Sequence, residues 1–386
     1  MKYSNINIED IDNYTLNEAK ALYGENILPI WKEAVYAKPY KLESRRYIGC
    51  KAKLVDWIFD IIEKETQDIS SFCDIFAGTG SVSNRAVQLY QNVIINDFLH
   101  SNHILYQAFF GEGDWNKDKM LNLLDAFNSI DPKKIKDNYF SENYGGKYFD
   151  EASAKIIGHI RDVIEDIKRT LTDKEYSILI ASLIYSMDKI ANTLGHFEAY
   201  IKKEIKPRKF IMKMIDVKSL KCVNIFQKDA NELAREIHTD IVYMDPPYNS
   251  RQYSRFYHVY EVLVKWDKPE LKGEARKPKE ENMSDYCRIK AFDAFTDLVA
   301  HVDSKYLAVS YNNTYKSKST SSQNKIKLEQ ILEVLNKCGD TKVFTHSHTP
   351  FNAGKTEFDN HMEYLFITKI DNERRNRSFP TILCGR

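Results

Sequence analysis

The chain has 386 residues, of which 43% are hydrophobic and 29% are charged, so it carries enough apolar material for a sizeable core and is not globally disordered. Lysine and arginine total 56, aspartate and glutamate total 55, and the formal net charge is +1. This balance argues against a polybasic nucleic-acid coat protein but allows a local basic groove. Six scattered cysteines without a Cys-x-x-Cys pair indicate buried thiols in a reducing compartment, not a disulfide framework or a zinc site.

No segment of the sequence has the pattern of a membrane anchor. The first residues lack the apolar core of a signal peptide. The most apolar stretch, 176–187, has about twelve residues, whereas a membrane span needs ~20. We therefore expect a soluble cytoplasmic protein with no membrane partner.

Seven short β-branched runs predict strands, at 71–76, 92–96, 221–226, 240–244, 305–310, 341–345 and 361–369. Helical spacing precedes or follows several of them, at 53–62, 81–90 and 325–337. Alternation of strands and helices predicts a doubly wound α/β sheet.

The spacing of these strands predicts an inserted domain. Roughly 120 residues separate the second strand from the third, which is too many for a structureless loop in a compact domain. We expect an insertion at 101–216, largely helical, with helices over 151–168 and 173–190. The catalytic domain would then comprise 46–100 and 217–386. Residues 1–45 form an N-terminal extension to which the sequence assigns no role.

The most specific motif is Asp245-Pro246-Pro247-Tyr248, which follows an apolar strand. Ligands bind outside the carboxyl ends of strands in open α/β sheets, and two prolines make this turn stiff. A carboxylate and a backbone carbonyl held there can accept both hydrogens of one exocyclic amine. Tyr248 supplies a stacking face for a flat base. The alternative is a rigid turn with a helix-capping acid.

A glycine turn, 74–80, ends the first strand. Glycines let the backbone approach a ligand closely, but their spacing matches neither a nucleotide-triphosphate loop nor Gly-x-Gly-x-x-Gly. Asp97, about twenty residues downstream, is placed to accept hydrogen bonds from the ribose of either a nicotinamide or a sulfonium cofactor. Asp229, just past the third strand, is a weaker candidate for receiving an adenine amino group. For Asp97 the alternative is a helix cap.

Together these motifs resemble the Dam-like, α-class adenine-specific DNA methyltransferases. The resemblance rests on 76–80, on 245–248, and on 46–54, which is similar to that family's first motif of an aromatic residue, a glycine and a lysine before a helix. The motif order agrees, and the resemblance spans about residues 45–370. It implies a doubly wound, seven-stranded S-adenosylmethionine-dependent methyltransferase sheet with a helical target-recognition insertion.

The resemblance further implies S-adenosylmethionine as cofactor, no metal, and methyl transfer to the N6 amine of adenine in duplex DNA by base flipping. Asp245 and the Pro246 carbonyl would bind the amine, Pro247 would stiffen the turn, and Tyr248 would stack on the base. Lys51 would pair with the carboxylate of the cofactor. The full set of implied cofactor-binding residues is Tyr47, Lys51, Asp74, Phe76, Gly78, Gly80, Asp97 and Asp229.

Two basic segments are predicted to bind DNA, the tail of the insertion at 200–213 and the stretch 249–258 after the catalytic turn. Their predicted contact residues are Lys206, Arg208, Lys209, Arg251, Tyr253 and Arg255. The polar loop 192–200 is a candidate base reader, and Lys316, Lys318, Lys325 and Lys327 suggest a second DNA-facing loop. The alternatives are a solvated charge run and an amphipathic helix start. We interpret His258 as structural.

The sequence thus predicts a site-specific adenine DNA methyltransferase that serves as the modification enzyme of a restriction-modification system. Double-stranded DNA is the expected partner, and a cognate restriction endonuclease acting independently is left open. We place the protein in the bacterial cytoplasm, at the nucleoid. Alternatives are an RNA adenine methyltransferase, a non-catalytic DNA-binding protein on the same scaffold and, more distantly, a nicotinamide dehydrogenase.

Overall fold

The computed structural model describes residues 11–203, 205–248, 250–313, 325–347 and 362–380. The predicted loop lysines Lys316 and Lys318 lie outside the described residues, as does position 361 of the last predicted strand. The chain divides into two compact units. The helical unit comprises the described parts of Met1–Arg46, with Ile104–Leu220 and His258–Lys279. The sheet unit comprises Tyr47–His103, Lys221–Tyr257 and the described parts of Glu280–Arg386.

The described strands are β1 (Ser71–Asp74), β2 (Asn92–Asn96), β3 (Val223–Phe226), β4 (His238–Met244), β5 (Asp303–Asn312), β6 (Gly339–Ser347) and β7 (Met362–Ile370). The described α-helices are α1 (Leu16–Tyr23), α2 (Leu28–Tyr36), α3 (Val55–Glu65), α4 (Ser81–Leu89), α5 (His100–Phe109), α6 (Lys117–Asn128), α7 (Tyr139–Tyr144), α8 (Glu151–Asp166), α9 (Asp173–Ile190), α10 (Ala230–Ala234), α11 (Tyr253–Phe256), α12 (His258–Lys265), α13 (Ala291–His301), α14 (Leu328–Cys338) and α15 (Asn372–Ser378).

The strands form one mixed sheet in the order β3-β2-β1-β4-β5-β7-β6. The first five strands pair in parallel with their neighbours, whereas β7 runs antiparallel to both β5 and β6. The predicted seven-stranded α/β architecture is therefore confirmed. The antiparallel β7 between β5 and β6 was not predicted, because strand direction depends on how the chain returns to the sheet.

The middle of the sheet is buried because its strands are almost wholly apolar. Residues 239–244 of β4 are all buried, as expected for a strand covered on both faces. Val242 and Leu307 belong to one apolar core with Phe295 of α13 and Ile331 of α14. This core holds β4 rigid up to its carboxyl end, where the acidic turn begins.

Asp240 fixes the other end of β4. Its Oδ2 accepts hydrogen bonds from the backbone N–H and the hydroxyl of both Ser70 and Ser71 at 2.8–3.0 Å. Its Oδ1 lies 2.8 Å from the Lys305 ammonium. β4 is thereby tied to the start of β1 and to β5.

The helical unit contains both helices predicted for the insertion. α9 matches its predicted range, and α8 ends two residues early, at Asp166. Thr172 and Glu175 form a reciprocal capping box at the start of α9. Asn192 in the polar loop is buried and donates its side-chain amide to the carbonyls of Lys147 and Ile201. The Asn192 side chain is therefore committed to the backbone of its own unit, and base reading by the rest of the loop 192–200 stays a prediction.

The N-terminal segment 11–46 is an integral part of the helical unit. α1 and α2 share a small apolar core, against which Ile211 packs. Tyr40 forms a β-bridge with Ile215, and the Asn128 side chain donates hydrogen bonds to the Tyr36 hydroxyl and the Met212 carbonyl. The division into units thus groups 11–46 and 258–279 with the insertion, which differs from the predicted boundaries.

His258 at the start of α12 is fully buried. Its ring lies edge-on to Tyr144, Tyr148 and Phe197 within the helical unit, in agreement with its interpretation as structural. None of the helices in the described ranges is both long and apolar enough to cross a membrane.

Candidate active site

Strand register brings the predicted motifs to one edge of the sheet. Cys73 of β1 lies opposite Ile94 of β2 and Val242 of β4, so the turns that follow these strands are neighbours. Asn96 joins them: its side-chain amide donates to the Ile75 and Lys228 carbonyls, and its oxygen accepts from the Lys228 N–H. This buried asparagine holds the glycine turn beside the loop after β3.

An open cavity lies at this edge within the sheet unit. It unites the first motif, the glycine turn, the acids after β2 and β3, and the catalytic turn. Predicted residues in its wall are Tyr47, Lys51, Asp74, Phe76, Gly78, Asp97, Asp229, Asp245, Pro246, Pro247, Tyr248 and Tyr253. Gly80 is absent from the wall and instead begins α4 with a left-handed φ of 74°.

The acidic corner of the cavity is built around Lys51. Its ammonium lies 3.0 Å from Oδ1 of Asp245 and 3.7 Å from Oε1 of Glu363 on β7. All three side chains are largely buried, with exposures of 5%, 14% and 7%. In the structure the charge of Lys51 thus faces two carboxylates of the protein, and its pairing with a cofactor carboxylate stays a prediction.

This environment sets the protonation of the corner. Burial raises the pKa of Asp245 to about 6; the Lys51 ammonium opposes the rise and the Glu363 carboxylate adds to it. The pKa of Lys51 lies above its usual value: burial alone would lower it, but Asp245 and Glu363 outweigh that effect. At neutral pH the corner thus holds a charged lysine and a mostly ionised Asp245.

The cavity wall next to the acidic corner is formed by tyrosine rings and by the backbone of Gly49, which lies close to two tyrosine hydroxyls. The Tyr47 ring stacks on Tyr257 at 4.4 Å and on Tyr253 at 5.4 Å. Gly49 has a φ of 80°, and a Cβ there would lie 3.2 Å from Oη of Tyr248 and 3.3 Å from Oη of Tyr253. A side chain at position 49 would therefore be strained and would displace the two hydroxyls.

Two predicted ligand acids also cap the turns on which they lie. Asp97 accepts hydrogen bonds from the backbone N–H of Gly78 and of Leu99, both at 2.9 Å. Asp229 caps α10 by accepting from the Asn231 N–H at 2.8 Å. Capping of α10 by Asp229 is a finding of the structure that the sequence did not predict. A carboxylate has about four acceptor sites, so capping leaves capacity for a ligand in the cavity.

The amino-acid sequence that forms this site matches a known family. The model of the D12 class N6 adenine-specific DNA methyltransferases matches residues 47–316, more than half of the chain. The chain belongs to this family. The resemblance to Dam-like adenine methyltransferases is thereby confirmed, and so is the prediction of an enzyme that methylates adenine in DNA.

Several methyltransferases are similar to this chain along most of its length. It is 30% identical over 346 residues to the Type II methyltransferase M.NlaIII of Neisseria lactamica, covering 83% of this chain and 98% of that protein. It is 30% identical over 336 residues to the Type II methyltransferase M.CviAII of Paramecium bursaria Chlorella virus 1, covering 84% and 98%. It is 30% identical over 289 residues to the modification methylase LlaI of Lactococcus lactis subsp. lactis, of which it spans 46%.

Membership of this methyltransferase family implies S-adenosylmethionine as methyl donor, and the cavity fits a cationic adenosine compound. Asp74 is 1% exposed, and its Oδ2 accepts a 2.6 Å hydrogen bond from the Ser83 hydroxyl. Its Oδ1 has no hydrogen-bond partner within the described parts of the chain. Burial raises the pKa of Asp74 to about 7. The hydrogen bond from Ser83 opposes this rise, and the negative charges of Asp245 and Asp97 add to it. A bound cation would stabilise this buried carboxylate.

The predicted DNA-binding residues of the methyltransferase have different environments. Lys206 and Arg208 are exposed. Lys209 is also exposed but lies 3.1 Å from Glu18 and 4.5 Å from the centre of the Tyr14 ring. Tyr253 lies in the cavity wall. Arg251 and Arg255 are exposed and partly exposed, respectively, in the same unit as the cavity.

Sequence reasoning missed several residues of this site. Glu363 is separated from the motifs by more than 100 residues and stands in no recognisable pattern. Asn96 directly precedes Asp97, but no local pattern predicts the hydrogen bonds by which it joins two turns. Ser284 and Tyr286 line the cavity from the loop before α13, and only tertiary folding brings that loop to the strand ends. The described residues include no cluster of His, Cys, Asp or Glu arranged to hold a metal ion.

Proposed function

We propose that this methyltransferase is the modification enzyme of a restriction-modification system and methylates adenine at N6 in duplex DNA, in the bacterial cytoplasm. The chain is similar along nearly their whole length to proteins named Type II methyltransferases. We propose a separate restriction endonuclease as its functional counterpart. The observation that carries the catalytic assignment is that the Asp245-Pro246 corner opens into the same cavity as the glycine turn.

In this proposal the corner activates the target amine. The adenine amine is a weak nucleophile because its lone pair is delocalised into the ring. The Asp245 carboxylate and the Pro246 carbonyl accept its two hydrogens, which favours a pyramidal nitrogen with a localised lone pair. No covalent bond to the protein is needed, because the amine itself attacks. Bound S-adenosylmethionine supplies the electrophilic methyl group.

Lys51 and the prolines keep this corner in position. Lys51 holds Asp245 by an ion pair within a largely buried site, so the carboxylate oxygens have one preferred orientation. Pro246 and Pro247 fix their own φ angles and make the carbonyl direction stiff. Preorganised acceptors of this kind lower the reorganisation that accompanies reaction. After transfer the amine carries an extra proton, and the ionised Asp245 carboxylate is placed to receive it.

The target base must leave the duplex to bring its amine to the Asp245-Pro246 corner, because enzymes cannot reach such an atom within the base stack. Extruding a base costs on the order of a few kcal/mol, which stacking and hydrogen bonds in the pocket offset. Tyr248 is 6% exposed and stands edge-on to Tyr311 at 6.1 Å. We propose that the face of Tyr248 on the cavity side contacts the base, and that Asp74, Asp97 and Asp229 hold the methyl donor.

The test combines a methylome with a defined substitution. Expression of the wild-type chain in a host lacking adenine methylation, followed by modification-sensitive sequencing, should show N6-methyladenine at one sequence. Asp245→Ala should lower transfer of radiolabelled methyl groups by at least about 1,000-fold while S-adenosylmethionine still binds in calorimetry. The matched control is Asp340→Ala, which removes a 99% exposed carboxylate of the sheet unit and should leave transfer unchanged.

Other outcomes would contradict the proposal in distinct ways. Methyl transfer to structured RNA but not to duplex DNA would establish the RNA methyltransferase alternative. Cofactor-independent DNA binding without any methyl transfer would indicate a non-catalytic scaffold. Retained turnover in Asp245→Ala would remove Asp245 from the reaction.

A further inference from the structure

The loop 282–290 of the sheet unit is firmly anchored beside the cavity. Tyr286 is 2% exposed, and its hydroxyl donates a 2.8 Å hydrogen bond to Oδ1 of Asn231. The Gln252 side-chain amide donates a 2.9 Å hydrogen bond to the Ser284 carbonyl and accepts a 2.8 Å hydrogen bond from the Ser284 N–H. The buried Cys287 thiol lies 3.2 Å from the Arg251 carbonyl. The loop is therefore anchored at three positions to residues of the sheet unit, of which Gln252 lines the cavity.

The tip of this anchored loop exposes an isoleucine between two cations. Ile289 has a relative exposure of 101%, the largest among the exposed large hydrophobic residues in the described parts of the chain. Arg288 and Lys290 on either side are exposed as well. Arg288 pairs with Asp285 at 3.2 Å, but both side chains are about half exposed, and such pairs exchange readily with other anions.

An isolated exposed apolar side chain is common on protein surfaces. A functional role for Ile289 must therefore be argued from its position and from the residues around it. Ile289 follows the cavity-wall residue Tyr286 by three positions, a chain distance of at most about 11 Å. Arg251 is exposed next to Gln252, a residue of the cavity wall. The Lys325 N–H donates a 2.9 Å hydrogen bond to the carbonyl of Tyr248 in the catalytic turn. Arg251 and Lys325 thus lie next to residues of the catalytic side of the cavity, and the Cys287 thiol joins the loop that carries Ile289 to the Arg251 backbone.

We propose that Ile289 is a wedge that enters the base stack of duplex DNA when the target adenine leaves it, with Arg288 and Lys290 on the flanking phosphates. This inference rests on the proposed function. Removing a base from a duplex leaves an apolar gap between its neighbours, and proteins that distort DNA fill such gaps with aliphatic side chains. Cations on both sides suit the backbone of the strand that is being opened. Ile289 is thereby a positioning residue that acts on the DNA and makes no contact with the reacting atoms.

The experiment uses the full-length methyltransferase and a duplex carrying the sequence identified in the methylome, with 2-aminopurine at the target adenine. Wild-type protein should raise 2-aminopurine fluorescence as the base unstacks. Ile289→Ala should reduce that rise and lower kcat/KM on the natural duplex about 10-fold, the loss expected when most of one aliphatic side chain is no longer buried. Ile289→Met keeps an apolar tip and should retain most of the signal. Leu89→Ala, which truncates a 50% exposed leucine of the same unit, should behave as wild type.

A second substrate separates a wedge from a structural role. Placing the target adenine opposite an abasic site removes much of the cost of opening the pair, so Ile289→Ala should recover there to within about 2-fold of wild type. Equal defects on both duplexes, or an unchanged fluorescence rise in Ile289→Ala, would overturn the wedge. Absence of methyl transfer by the wild-type protein would instead overturn the proposed function, so the two failures are distinguishable.

Discussion

Asp245 acts chemically as one member of a buried group of three charges. Lys51 lies within ion-pair distance of both Asp245 and Glu363, so the protonation of Asp245 depends on the other two groups. Asp245 must be ionised to accept hydrogens from an amine. Its pKa of about 6 places its ionisation just below neutral pH, and activity should therefore rise with pH through that value.

The rise of activity through about pH 6 is the acidic limb of the pH–activity profile. Substitutions of Lys51 and Glu363 should move this limb in opposite directions. Glu363 raises the pKa of Asp245, so Glu363→Gln should shift the limb of the kcat profile to lower pH, by about one unit. Lys51 lowers that pKa, so Lys51→Met should shift the limb to higher pH. Steady-state methyl transfer measured between pH 5 and pH 9 gives both shifts.

A surface carboxylate supplies the control for these profiles. Glu329→Gln changes an exposed acid in the first turn of α14 and should leave the limb in place. Shifts of the same sign in the Glu363 and Lys51 variants would show that the limb does not report Asp245. Melting temperatures recorded alongside separate a change in protonation from a loss of folding.

At the scale of elements, β4 carries the catalytic corner and depends on one anchor at its opposite end. Burial alone would raise the pKa of Asp240, but hydrogen bonds from Lys305, Ser70 and Ser71 outweigh it and hold the pKa well below its usual value. A carboxyl whose pKa is lower in the folded state stabilises the fold above its unfolded pKa, and this contribution is lost as the pH falls.

Asp240→Asn should therefore destabilise the protein by about 2 kcal/mol at pH 7, because it removes a charged acceptor of several hydrogen bonds. The difference from wild type should shrink as the pH falls below about 4. Urea unfolding at several pH values measures both effects. Asp303→Asn, which alters a 62% exposed carboxylate at the start of β5, is the matched control, and an equal loss there would contradict the anchor.

At the scale of the whole molecule, a net charge near zero hides an uneven distribution of cations. Lys206 and Arg208 are exposed in the tail of the insertion, where DNA contacts stay a prediction. Lys209 already pairs with Glu18 of the N-terminal segment, so reversing its charge would also disturb the packing of α1. The structure therefore favours testing Lys206 and Arg208 without it.

Lys206→Glu combined with Arg208→Glu should weaken DNA binding and flatten its salt dependence. Each lost phosphate contact lowers the slope of log K against log salt by about 1, so the pair should lower it by about 2. Fluorescence anisotropy at 50–200 mM salt gives the slope. Lys133→Glu with Lys134→Glu, two exposed lysines elsewhere in the helical unit, should change it less, and an unchanged slope in the first variant would exclude the tail from the interface.

Local pattern was sufficient for the strands, for five of the fifteen described α-helices and for the residues of the two strong motifs. Apolar runs must be buried, and glycine or proline turns end them, so the residues after β1, β2 and β4 could be placed at one edge of a parallel sheet. Gly80 was predicted to line the cofactor site because it belongs to the same turn as Gly78, but its left-handed φ serves the entry into α4. Motif membership does not determine where each backbone unit points.

The sequence by itself determined the family, the chemistry of the acidic corner and the strand ends at which that corner lies, because these depend on residue types close together in the chain. Only the tertiary structure brought Glu363 of the antiparallel β7 against Lys51, packed residues 11–46 into the helical unit, and placed the loop with Ile289 beside the cavity. Each of these joins segments far apart in sequence. Such contacts form because buried charges and apolar faces must find partners in three dimensions, and no local pattern records which distant segment supplies them.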